Sequence, residues 1–169
     1  MLEVIIAILT ITAFLTGTLQ LMAVNALYKV RAERQAKAYF WIQEDFEYVK
    51  FLASKLDVRS VFVTTDVCTN IDKGYATALR RQLTATPLTT TTIPTEQLVT
   101  TTTIVGKKNY SLVRTFNIAN QEDNPHRLRI EYEVRLADPK TANDYPNQEN
   151  VIAKSSVEVI PDASFKCPS

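Results

Sequence analysis

MLEVIIAILTITAFLTGTLQLMAVNALYKVRAERQAKAYFWIQEDFEYVKFLASKL, residues 1–56, is the stretch that decides the fold. Its first 28 residues hold one charge, Glu3, and Val4 to Tyr28 runs 25 residues without Lys, Arg, Asp or Glu. As a helix that run is about 37 Å long, enough to cross a hydrocarbon core of roughly 30 Å. A carboxylate in apolar surroundings is expensive unless something compensates it, so Glu3 needs a partner. There is no basic segment ahead of the run, and it is too long for a secretory signal and lacks a small-residue cleavage site. It reads as a retained element.

No proline interrupts Leu2 to Leu56, and the only glycine is Gly17, flanked by Thr16 and Thr18. Beyond Tyr28 the chain turns amphipathic without a boundary signal. Tyr39, Ile42, Phe46, Val49, Ala53 and Leu56 recur at helical spacing and define one face, widened by Trp41, Tyr48 and Leu52. Arg34, Lys37, Glu44, Glu47 and Lys50 fall largely elsewhere. One helix of this length is about 80 Å long, its first half suited to lipid or other helices and its second to a folded domain. Gly17 is its weak point, because glycine costs about 1 kcal/mol relative to alanine and threonine is a mediocre helix former. A bend or local melting would fall there, although glycine and threonine are also tolerated in membrane helices.

Outward from the helix, 57–96 is a mixed connecting region. Val61-Phe62-Val63 suggests a short strand and Ile71 to Leu83 a short helix. From Thr84 to Thr103, 11 of 20 residues are threonine, a good strand former. Pro87 and Pro94 rule a central strand out of the first half, leaving an extended connector and then a strand from Gln97 to Val105. Gly106 to Asn109 reads as a hairpin turn, Tyr110 to Ala119 as a strand, and Gln121 to Pro125 as a second turn. From Arg127 to Leu136 the alternation is strict: Leu128, Ile130, Tyr132, Val134 and Leu136 face one way, and Arg127, Arg129, Glu131, Glu133 and Arg135 the other. That is a half-buried antiparallel strand. A polar loop with Pro139 and Pro146 leads to a last strand, Val151 to Ile160, and a tail, 161–169. The expected fold class is therefore α+β, a long N-terminal helix packed on a three- to four-stranded antiparallel meander sheet (97–160). Residues 1–28 form the apolar half-helix and 29–169 a head that includes the amphipathic half-helix 29–56.

All 19 Lys and Arg and 17 of the 18 acidic residues lie beyond Tyr28, so the head is near neutral and nucleic acid is not indicated as a partner. The two cysteines, Cys68 and Cys167, lie far apart and without a CxxC pair or Cys/His cluster, which excludes a zinc finger. In an exported protein they read as one disulfide tying the tail to an early loop, worth about 4–5 kcal/mol by loop closure; in a reducing compartment they would be two thiols. Asn109-Tyr110-Ser111 matches an N-glycosylation acceptor. Catalytic signals are lacking: the single histidine, His126, sits in a turn, and with three glycines there is no phosphate-cradling loop. The expectation is a non-enzyme without cofactor or metal.

The order of long helix, connector, meander sheet and cystine-closed tail resembles the type IV pilin superfamily. The resemblance is most specific in Met1-Leu2-Glu3-Val4-Ile5-Ile6-Ala7-Ile8-Leu9, which is similar to the mature N-terminus of pilins and pseudopilins, where a Glu-Val or Glu-Leu pair opens an apolar run. It implies that Glu3 pairs with the amino terminus of a neighbouring subunit and that Val4, Ile5, Ile6, Ile8 and Leu9 pack in a filament core. It also implies inner-membrane residence before assembly, partners that are other pilin-like subunits, and processing by a prepilin peptidase and an assembly platform. The elaborated head suits a minor pilin or pseudopilin, in a machine for motility, adhesion, DNA uptake, or protein or polysaccharide secretion. One departure stands out: the family's glutamate is the fifth mature residue and here it is the third, with no leader ahead of it. Two mature residues preceding Met1, a different start, or an atypical member would each account for it. The family's N-methylated first residue is accordingly unassigned. Lys29, Arg31, Arg34 and Lys37 favour, for a simple span, a cytoplasmic head, whereas pilins carry the orienting charge in the leader. These four read as a solvated face, or as partners across subunits for Glu33, Glu44 or Asp45.

Overall fold

The breaker-free run folds as a single helix, α1 (Leu2–Lys55), of 54 residues, in a computed structural model that describes residues 2–70, 73–103, 108–119, 123–138 and 150–168. It continues unbroken through Gly17, where an added Cβ would meet nothing within 4 Å. Neither glycine nor proline ends α1. The Asp57 carboxylate accepts the Val58 N–H at 2.6 Å, a local bond that competes with helix continuation.

After α1 the chain runs through turns. Val61-Phe62-Val63 is part of these turns and not a strand; three residues with no pairing partner cannot hold a ladder. Helix α2 spans Tyr75–Leu83, shorter at its start than the expected 71–83, of which Ile71 and Asp72 lie outside the described residues. Just beyond α2, Ala85 takes a positive φ of 51° and the Thr86 N–H reaches back to the Arg81 carbonyl at 2.8 Å, closing the helix end.

Four strands follow: β1 (Glu96–Thr103), β2 (Asn109–Asn117), β3 (Leu128–Leu136) and β4 (Val151–Val159). They form one antiparallel sheet in the order β1-β2-β3-β4, the meander expected from the turn spacing. Of the expected turn at 106–109, residues 106 and 107 lie outside the described residues and Asn109 already belongs to β2; most of the loop 138–150 and part of 121–125 also lie outside them. The acceptor triplet begins β2, with Ser111 buried and its hydroxyl 2.9 Å from Thr101 Oγ1. It is therefore strand, not free loop. Register shifts between Leu98 and Thr100, a bulge in edge strand β1.

β3 alternates as expected: Leu128, Ile130, Tyr132, Val134 and Leu136 are buried. On the outer face, charges pair across strands, with Arg135 on Glu96 at 2.9 Å and Lys154 on Glu133 at 3.1 Å. These exposed pairs contribute little each. The inner face, with Tyr110, Leu112 and Phe116 of β2, packs against α1 and α2. The tail forms a short 3-10 helix, Asp162–Lys166, and Cys167 is joined to Cys68 with Cα atoms 5.3 Å apart.

The face that α1 turns to the core keeps Ile42, Val49, Ala53 and Leu56 of the stripe read in sequence but not its tyrosines. Arg34, Ala38, Ile42, Asp45, Val49, Ala53 and Leu56 are buried, whereas Tyr39 and Tyr48 are about half exposed. Ala38 and Ala53 are buried at 0% and 3% exposure, and the bulky Trp41 and Phe46 flank them, partly buried.

Candidate functional site

The apolar half of α1 stands clear of the head. It contains the one window of the described residues long and apolar enough to cross a membrane, with a mean hydropathy of 2.1 and 0% of it buried. Val4, Ile5, Ile6, Ile8 and Leu9 are each more than half exposed. Its threonine hydroxyls are satisfied within the helix. Thr10 donates to the Ala7 carbonyl at 2.9 Å, Thr12 to that of Ile8, Thr16 to that of Thr12 at 2.7 Å, and Thr18 to that of Leu15 at 2.9 Å. Bonded this way, threonine adds no unsatisfied hydroxyl to a surface that meets lipid or another helix.

Glu3 is exposed in the first turn of α1, where the helix dipole favours a carboxylate, and it has no ion-pair partner among the described residues. The partner that the sequence asks for is therefore not supplied by the rest of the described fold. Gly17 lies on the same exposed half, in regular helix.

Of the four basic residues beyond the apolar run, Lys29, Arg31 and Lys37 are exposed, and Lys37 meets Glu33 at 3.5 Å one turn away. Arg34 is buried, at 4% exposure, so it does not belong to a solvated face. Asp45 is also buried and is not available to a neighbouring subunit. It holds Arg114 of β2 in a bidentate pair, through Nε at 2.6 Å and through Nη2. The third nitrogen, Nη1, donates to Gln97 Oε1 of β1 at 3.1 Å, and Gln97 Nε2 donates to the Leu83 carbonyl at the end of α2 at 2.8 Å. One guanidinium thereby ties α1, β2, β1 and α2 together. Burial, and then the adjacent Asp45 carboxylate, push the Tyr132 phenol pKa well up, so that hydroxyl stays neutral. Sequence reasoning missed this network. Its signal was Arg114 in phase with Tyr110, Leu112 and Phe116, a charge at an inward position of β2.

His126 is a structural acceptor. Its Nδ1 takes the Tyr75 N–H, the first of α2, at 3.2 Å, and its ring lies 5.6 Å from that of Tyr75. The Ala76 N–H goes to the Pro125 carbonyl at 3.0 Å, and a Cβ on Gly74 would sit 2.1 Å from that oxygen, so only glycine fits there. Only neutral imidazole can accept at Nδ1, and partial burial pushes the His126 pKa below its ordinary value. The unfolded chain then binds more protons than the folded one below about pH 6.5, so stability is lost as pH falls through that value. Lys73, hydrogen-bonded to Asp66, holds that carboxyl at about 2, so Asp66 does not titrate in this range. Urea midpoints are expected to fall between pH 7.5 and 5.5 by the equivalent of about 1 kcal/mol, the worth of one hydrogen bond. His126→Asn, which keeps an acceptor but no titration, should flatten the profile.

Among the described residues no three His, Cys, Asp or Glu side chains are grouped as a metal site would require. Comparison of the chain with family models, with curated proteins and with solved structures finds no match.

Proposed function

We propose that the chain is a structural subunit of a type IV pilin-like filament, held in a membrane by residues 2–28 before assembly and packed through them in the filament core afterwards. One observation carries the reading: a single α1 serves both as a fully exposed apolar rod headed by one carboxylate and as the spine of the head's core. A plain anchor requires neither the charge nor the continuity. Glu3 then pairs with the amino terminus of a neighbouring subunit, and a misplaced neighbour leaves two charges uncompensated, so that the pair acts as a registry device. The Cys68–Cys167 disulfide supports a head that matures in an oxidising compartment, against the cytoplasmic placement that Lys29, Arg31 and Lys37 would favour for a simple span.

The test is electron microscopy of sheared cell-surface material labelled with an antibody to residues 57–169. Labelled filaments are expected. Label confined to the membrane fraction while the secretion or motility system is active would favour a single-span protein that binds a partner without polymerising.

A further inference from the structure

A groove of about 530 Å³ runs between α1 and edge strand β1, independent of the apolar half-helix. One wall is Trp41, Glu44 and Tyr48, spaced 3 and 4 residues apart and hence on one side of α1; the other is Val99, Thr100 and Thr102. Leu112 and the Asp45 carboxylate, already paired with Arg114, line it between the walls. The Trp41 N–H, the Glu44 carboxylate, the Tyr48 hydroxyl and the Thr100 and Thr102 hydroxyls have no hydrogen-bond partner among the described residues, whereas Thr101, on the opposite face, is bonded to Ser111. The groove therefore joins two aromatic rings to a donor, an acceptor-only carboxylate and three hydroxyls that do both.

We propose that this groove binds a neutral, β-1,4-linked oligosaccharide. Trp41 and Tyr48 are seven residues apart, about 10 Å along the helix, a span comparable with two linked pyranose rings. The electron-rich faces of the rings suit the C–H faces of equatorially substituted sugars, and the mixed donors and acceptors suit their hydroxyls. Glu44 is the one charge lining the groove without a partner, which turns away uronic acids and sulfated chains. An added peptide strand is disfavoured, because the bulge between Leu98 and Thr100 breaks the edge register alongside the groove. The groove begins some 13 residues beyond Tyr28, about 20 Å past the apolar run, which places it close to the surface that anchors the head.

Trp41 is the chain's only tryptophan, so its fluorescence reports on this groove alone. The full-length chain, in micelles of a detergent without a sugar head group, is titrated with cellotetraose and with chitotetraose, followed by emission and by calorimetry. A saturable shift in Trp41 emission, accompanied by heat, is expected with at least one of them. Tyr48→Ala, at a half-exposed position, should weaken binding about tenfold or more, and Tyr48→Phe should stay within about threefold. Tyr39→Ala, on the other side of α1, should bind as the parent does. No heat and no shift with either sugar, or equal binding by Tyr48→Ala, overturns the proposal. So does an emission shift that tracks protein concentration without sugar, which would assign the groove to a second copy of the chain.

Discussion

Truncating Asp45 to alanine is expected to destabilise the head by roughly 3–5 kcal/mol, because it leaves the Arg114 guanidinium buried with its principal partner gone. A buried charge without a counter-charge keeps its desolvation cost, and that cost appears as lost stability. Arg114→Met should destabilise as well, and it also frees Gln97 from one of its two bonds. The double replacement Asp45→Leu with Arg114→Met is expected to recover most of the loss, since an apolar pair of similar volume needs no desolvation of charge. Urea unfolding of these proteins together with the single variant Asp45→Leu, in micelles, closes a double-mutant cycle. Single variants within 1 kcal/mol of the parent would show that the network does not hold the four elements together.

The second expected result concerns assembly. Glu3→Ala should remain in the membrane fraction, since losing a carboxylate only makes the apolar half easier to bury. Incorporation into filaments should fall about a hundredfold or more, because each neighbour's amino terminus would meet an apolar core without a counter-charge. Glu3→Gln should behave similarly, as it keeps the shape and loses the charge. Normal incorporation of both variants would sink the registry role of Glu3 while leaving open that the chain polymerises; the labelled-filament experiment decides the latter.

The sequence was most informative where one rule acted alone. α1 is legible because nothing in residues 2–56 can stop a helix, and β3 because its alternation has a period that only a strand satisfies. The face of α1 was read only in part: Ile42, Val49, Ala53 and Leu56 are buried as expected, but side-chain character was weighed above spacing, so Tyr39 and Tyr48 were counted in for their apolar bulk and Ala38 was left out. Arg34 and Asp45 looked like surface charges for the same reason. The partner that makes Asp45 a core residue, Arg114, lies 69 positions further along the chain, beyond the reach of any local periodicity. The groove was invisible on similar grounds: Trp41 and Tyr48 belonged to a core stripe until β1 was seen beside them. Val61-Phe62-Val63 had strand composition but no neighbour to pair with.

The unbroken course of α1 has an angular consequence. With no hinge between Tyr28 and the first buried residue, Arg34, the direction in which the head faces is fixed by a count of residues. One residue inserted between them would swing the head about 100° around the rod, whereas seven would return it to within about 20°. The junction therefore acts as a compass bearing written in chain length, and a shift of a single position there would change the bearing without altering one contact inside the head.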